Sequence, residues 1–158
     1  MAIVLTRVDD RLVHGQVVIG WGGPLGLDRI VLVDPEIRQS PWEQELYQMA
    51  APPGIAVEFQ SPGEAAPRLG EWASSRERVM VLTGSVATVA ELLRLAPGGV
   101  SRLNLGGIHA GAGRTERLRY LHLSSQDAAM LEELARSGVE VSAQDVPTSR
   151  PIPLRELL

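Results

Sequence analysis

The chain has 158 residues, 44% of them hydrophobic, which is enough to core one ordinary domain and too apolar for a disordered segment. Its net charge of −4, from 19 acidic against 15 basic residues, argues against nonspecific nucleic-acid binding. The absence of cysteine excludes disulfides and thiolate metal sites, and the absence of lysine excludes Schiff-base catalysis and Walker-type phosphate binding.

Ile3-Val4-Leu5 opens the chain as a buried strand. It is followed at once by Arg7-Val8-Asp9-Asp10-Arg11-Leu12-Val13-His14-Gly15-Gln16. Val17-Val18-Ile19-Gly20-Trp21 then reads as a short helix, weakened by Gly22 and Gly23 and ended by Pro24. Arg29 to Asp34 is a strand. Ser40-Pro41-Trp42-Glu43 has the form of a capping box opening a helix to Ala50, and Pro52-Pro53-Gly54 follows it. Ile55 to Phe59 is a third strand. Ser61-Pro62-Gly63-Glu64 repeats the capping form and opens a helix to Ala73.

Val79 to Leu82 is a fourth strand. Ser85 caps a helix whose Val86, Val89, Ala90 and Leu93 recur at helical spacing, and Pro97-Gly98-Gly99 stops it. Arg102 to Leu105 is a fifth strand. Gly111 and Gly113 make the next connection a loop too short for a parallel return, so Leu118 to Leu123 is expected to run antiparallel to strand five. Ser124 or Ser125 caps a last helix with Leu131 and Leu134 inward, and Val139 to Val141 is expected as the final strand before an extended tail. Strands alternating with helices predict a single-domain α/β fold: a mainly parallel open sheet of about seven strands, one of them antiparallel, with helices on both faces. No N-terminal signal is visible, and no apolar run approaches the roughly 18 residues of a membrane span, so a cytoplasmic chain that is not itself membrane-spanning is expected.

Two acids, two arginines and a histidine thus cluster where the first strand ends and the first helix begins. Ligands of open α/β sheets bind there, and a helix start offers free N–H groups to an anion. His14 is the candidate nucleophile, since a neutral imidazole accepts a phosphoryl group without first losing a proton. Arg11, three residues earlier, is placed to hold phosphate oxygens, and Gly15 and Gln16 add donors. Asp9 and Asp10 either orient the imidazole, hold Arg11 or cap the turn. Arg7 is read first as an ion-pair partner for a loop carboxylate and second as a phosphate contact. Thr83-Gly84-Ser85, after strand four, is a helix cap that can also present phosphate donors, and Asn104 to Gly107, after strand five, turns the chain or permits close backbone approach. His109 is a candidate for docking or phosphate contact, His122 is read as structural, and three scattered histidines make no metal site.

The ten residues Arg7 to Gln16 closely resemble the active-site loop of the IIB proteins of the sugar phosphotransferase system (PTS), mannose/fructose/sorbose family. The resemblance continues through Gln48 to Pro52, Leu103 to Ile108, and Gly138 to Val141 with Val146-Pro147. Gly22-Gly23-Pro24 departs from it, because that family usually continues the first helix with charged residues. The resemblance implies one EIIB-type domain over residues 1–158 and a phosphohistidine–sugar phosphotransferase. It further implies that His14 takes a phosphoryl group on Nδ1 from a phosphohistidine of a IIA protein or domain. His14 then passes the group to a hexose held by membrane IIC and IID components. No cofactor is implied. A PTS-linked regulatory phosphoacceptor, signalling without transport, would carry the same loop. Ile37, Arg38 and Trp42 are candidate partner contacts if the helix after strand two borders the His14 edge.

Overall fold

A computed structural model describes residues 3–158, with the side chain of Gln16 outside that description. In chain order the strands are β1 (Ile3–Val8), β2 (Arg29–Val33), β3 (Ala56–Gln60), β4 (Val79–Thr83), β5 (Arg102–Leu105), β6 (Arg114–Leu118), β7 (Leu121–Ser124), β8 (Glu140–Ala143) and β9 (Ile152–Pro153). Seven of them form one sheet in the order β3-β2-β4-β1-β5-β8-β9, parallel except for β9, which runs antiparallel to β8. The helices are α1 (Gly15–Val17), α2 (Gly23–Leu25), α3 (Pro41–Ala50), α4 (Pro62–Ala65), α5 (Leu69–Ser74), α6 (Val86–Leu95) and α7 (Ser125–Arg136).

The central strands are apolar on both sides because both sides are covered. Val31, Val33, Val79 and Val81 enter one core with Val86, Val89 and Leu92 of α6 and Leu131 of α7. Ile30, Leu32, Met80 and Leu82 enter the other, with Val17 and Val18 from the segment after the first loop. Full burial of each such side chain stabilises the fold by about 1.5–3 kcal/mol. The chain leaves β1 toward one face and leaves its neighbour β4 toward the other. The sheet therefore has its switch point between these two strands, where the connections diverge and a crevice opens.

Four local expectations are corrected. Leu118 to Leu123 is not one strand of the main sheet: it straddles the turn of a separate β6–β7 hairpin, whose main-chain link to the segment after β5 is an isolated bridge between Ile108 and Leu121. Its turn residues, Arg119 and Tyr120, carry none of the Gly, Pro or Asn marks of a turn. The antiparallel member is instead β9, so β8 is not the last strand. Pro153 is tolerated there because an edge strand leaves one row of N–H groups unpaired. Pro24 does not end the first helical segment. A π turn over Val18–Gly22 leads into α2, with Pro24 inside it, and Gly26 at φ +60° closes it. Finally, Ser40 precedes α3 at φ −120°, ψ 90°, and its side chain makes no capping bond, whereas the boxes at Ser61–Glu64 and Ser124–Asp127 are both formed.

Candidate functional site

β1 is flanked by β4 and β5, with Val8 level with Thr83 on one side and Leu105 on the other. The loops after all three strands therefore emerge together at one end of the sheet. The loop after β1 is bonded to both neighbours. Asp9 N–H donates to the Thr83 carbonyl at 2.9 Å, and Asp10 N–H to the Gly107 carbonyl at 2.8 Å.

Beneath that loop lies a buried ionic cluster. Arg7 and Asp9 both have fully buried side chains and pair at 3.1 Å. Arg11 grips the same carboxylate from the solvent side, with Nε to Oδ1 at 2.8 Å and Nη2 to Oδ2 at 2.7 Å. Arg7 also donates to Asn104 Oδ1, to the Gln144 carbonyl at 2.8 Å and to the Asp145 carbonyl at 3.1 Å, and it stacks on the Trp21 ring at 4.5 Å. Burial alone would push the Asp9 carboxyl up. The hydrogen bonds from Arg11 and the charges of Arg7 and Arg11 outweigh it and hold the group below its ordinary value. Burial draws the Arg7 guanidinium down against the pull of Asp9, and the hydrogen bonds to Asp9 push Arg11 up.

Gly106 shows how tightly the cluster is packed. A Cβ on it would lie 2.2 Å from Arg7 Nη2 and 2.4 Å from Asp9 Oδ2, so no side chain fits. The glycine after strand five serves close backbone approach to two charged side chains.

Leu12 sets the direction of the loop. It is the one described non-glycine residue with positive φ, at +55°, a conformation that costs about 1–2 kcal/mol. Its side chain is buried and would press on a Cβ at Gly84 from 3.2 Å. Its N–H bonds the Asp9 carbonyl at 3.0 Å and its own carbonyl accepts from His14 N–H at 2.8 Å. Two tight turns around an inward leucine present His14 and Gly15 on the surface, just where α1 starts.

The remaining expected residues fall into place around this loop. Asp10 Oδ2 accepts from the main-chain N–H of His109 at 2.8 Å and lies 2.8 Å from its Nδ1, so it fixes the ring of His109, a largely exposed residue. Thr83 is buried, and its hydroxyl points at the Ser85 carbonyl at 3.4 Å. The Ser85 hydroxyl caps α6 by accepting from Thr88 N–H at 3.1 Å, and Gly84 packs beside Leu12. The Gln16 side chain lies outside the described residues. His122 bonds the Ile108 carbonyl through Nδ1 at 3.1 Å. The helix after β2 does begin at this end of the sheet; Ile37 is buried, Arg38 is exposed but tied to Glu64 at 2.8 Å, and Trp42 is exposed. Sequence reasoning missed Trp21, Gln144 and Asp145. A solitary tryptophan two turns beyond the histidine was the one available signal. Among the described residues no cluster could hold a metal, and no helix is long and apolar enough to cross a membrane.

The fold and the site define a doubly wound α/β domain with an exposed histidine at its switch point, held over a buried arginine–aspartate cluster. The family model described as "PTS system sorbose subfamily IIB component" matches residues 3–158, and the chain belongs to that family, whose members are phosphotransferases. It is 32% identical over 158 residues to the N-acetylgalactosamine-specific phosphotransferase enzyme IIB component 2 of Escherichia coli K12, covering 99% of this chain and 98% of that protein. It is 28% identical over 160 residues to the mannose-specific EIIAB component of the same organism, covering 100% of this chain and 49% of that one. Among solved structures, the IIBSor domain of the sorbose permease from Klebsiella pneumoniae superposes with a TM-score of 0.88 at 27% identity, covering 99% of this chain and 96% of that one.

Proposed function

We propose that this chain is a phosphocarrier in which His14 takes a phosphoryl group from a phosphohistidine of a IIA protein and hands it to a sugar during uptake. The observation that carries this reading is the exposed His14 at the end of β1, on a loop fixed from below by Arg7, Asp9 and Arg11. In the first step an imidazole nitrogen of His14 forms a bond to phosphorus as the donor's P–N bond breaks and the donor ring recovers its electron pair. In the second, a sugar hydroxyl oxygen attacks phosphorus, its proton passes to solvent, and the His14 P–N bond breaks with its electron pair returning to the imidazole ring. Phosphoryl transfer depends mostly on positioning and charge stabilisation, and Arg11 is the cation nearest in sequence that supplies it. Gly15 and the Thr83–Ser85 turn contribute donors at the same sheet end, while Asp9 and Asp10 act by holding Arg11 and the loop.

The relatives point to the partners. One is named an EIIAB component, and this chain matches about half its length, which fits a donor that elsewhere shares a chain with this domain. The acceptor is a sugar bound by membrane IIC and IID proteins, met on the cytoplasmic side. The test is phosphotransfer from a phosphorylated IIA with mapping of the labelled residue. The label should sit on His14, be labile in acid and stable in base, and vanish in His14→Ala with an unchanged thermal midpoint. Full labelling of that variant, or an acid-stable label, would overturn the assignment.

A further inference from the structure

The segment after β8 closes over the ionic cluster and brings a fourth charged group to it. Gln144 N–H bonds the Leu105 carbonyl at 2.9 Å, and its side-chain amide bonds the Pro147 and Ser149 carbonyls at 3.1 and 2.8 Å. Asp145 is then pinned by its main chain: its carbonyl accepts from Arg7 Nη2 at 3.1 Å and from Trp21 Nε1 at 3.3 Å. Its side chain takes no part in that anchoring. Oδ1 stands 3.6 Å from Arg11 Nη2, an ion pair beyond hydrogen-bond reach, and the carboxylate is 42% exposed. Arg11 therefore faces two carboxylates of different kinds, buried Asp9 in a bidentate grip and Asp145 loosely at the rim.

We propose that the Asp145 side chain is a positioning residue that weakens the hold of Arg11 on the phosphoryl group of His14, keeping that group transferable. The proposal rests on the phosphocarrier reading above. A phosphoryl group on the loop brings nearly two negative charges to a guanidinium already facing two carboxylates. Asp9 cannot be moved without exposing a buried charge to the wrong partner, so it is a fixed part of the fold. Asp145 is half in water, so its charge can act on the phosphoryl group without a structural cost. A carrier that binds its cargo strongly in the ground state slows the next transfer, because only binding gained in the transition state speeds it. A carboxylate beside the phosphate-binding cation prevents that excess.

The experiment measures the equilibrium distribution of label between phosphorylated IIA and this chain, together with the onward rate to sugar, in wild type, Asp145→Asn and Asp145→Glu. Asp145→Asn should shift label onto His14 by about fivefold and slow onward transfer, an effect sized for a partly exposed charge pair. Asp145→Glu, which keeps the charge, should return toward wild type. The gap between Asp145→Asn and wild type should narrow as salt rises from 0.05 to about 0.5 M, which a purely structural role would not produce. All three proteins should melt together, because the anchoring bonds are main-chain. A labelled wild type with an unchanged or lowered distribution in Asp145→Asn would overturn the proposal alone. A wild type that takes no label from IIA would overturn the phosphocarrier reading and this proposal with it.

Discussion

The molecule contains two arginine–carboxylate clusters built to the same plan. Under the His14 loop, Asp9 lies between Arg7 and Arg11, and Arg7 stacks on Trp21 at 4.5 Å. At the far edge of the sheet, Glu58 of β3 lies between Arg29 and Arg68, and Arg68 stacks on Trp72 at 4.7 Å. The difference is water. Arg7 and Asp9 are 0% exposed, whereas Arg29, Glu58 and Arg68 are 28%, 18% and 35% exposed. The edge cluster also spreads onto Glu71 and Glu77, which are more exposed still. A list of ion pairs would rank the two alike. Burial makes the first a precondition of the fold at the site, and solvent makes the second an ornament of the edge.

The sharpest way to test that contrast is Asp9→Asn. Removing one partner of a buried pair leaves uncompensated cations behind and typically costs about 3–5 kcal/mol. Denaturant unfolding should therefore show a loss of that size, and labelling of His14 should fall with it. The pH dependence has a definite sign. The folded Asp9 carboxyl sits below its ordinary value, so its contribution is fully present above the unfolded value of 3.8 and is lost as pH falls through the lower folded value. Wild-type stability should thus decline in acid below about pH 4, and Asp9→Asn should flatten that decline. A variant as stable as wild type would place the cluster with the edge network after all.

Arg11→Ala is the next in size. Arg11 is only 23% exposed, yet it is the member of the cluster that faces outward, so its loss should fall on transfer more than on stability. Phosphotransfer from IIA should slow by more than about tenfold, the scale of losing one charged donor to a developing phosphoryl charge. Unfolding should change by less than in Asp9→Asn, since Asp9 keeps Arg7. An unchanged rate would make Arg11 a structural partner of Asp9 and nothing more.

How far the sequence reaches is clear from which of these residues it named. The continuous apolar runs Ile30 to Val33 and Val79 to Leu82 announced a parallel sheet, and the strand-to-helix break at Asp9 to Gly15 announced a site at its end. The competing roles of Asp9 stayed open because local spacing cannot say which side chains are buried. Asp9 is held by Arg7 from the strand before it and by Arg11 from the same loop, and only the sheet brings Asn104 and Asp145 to them, from 97 and 138 residues beyond Arg7. The hairpin was read as one strand because Arg119-Tyr120 turns the chain without turn residues. Pro24 reads as a stop because a sequence does not reveal that a new helical turn begins at Gly23, which places the proline in a first turn where its missing N–H costs nothing. These errors share a cause: each feature is decided by a partner distant in sequence or by backbone geometry that no residue type demands.

The smallest effect belongs to the edge cluster, and it decides whether the contrast holds. Glu58→Gln keeps the shape and one accepting oxygen while removing the charge between Arg29 and Arg68. Arg29 retains Glu77, with Nε to Oε2 at 2.5 Å, and Arg68 retains Glu71 at 3.3 Å, so neither cation loses its last carboxylate. Both guanidiniums also reach water, and exposed pairs are worth about 0–1 kcal/mol each. Unfolding should therefore shift by no more than about 1 kcal/mol, less at high salt, with His14 labelling untouched. A loss as large as that of Asp9→Asn would mean that exposure does not separate the two clusters, and that the stack on Trp72 depends on the ion pair beside it.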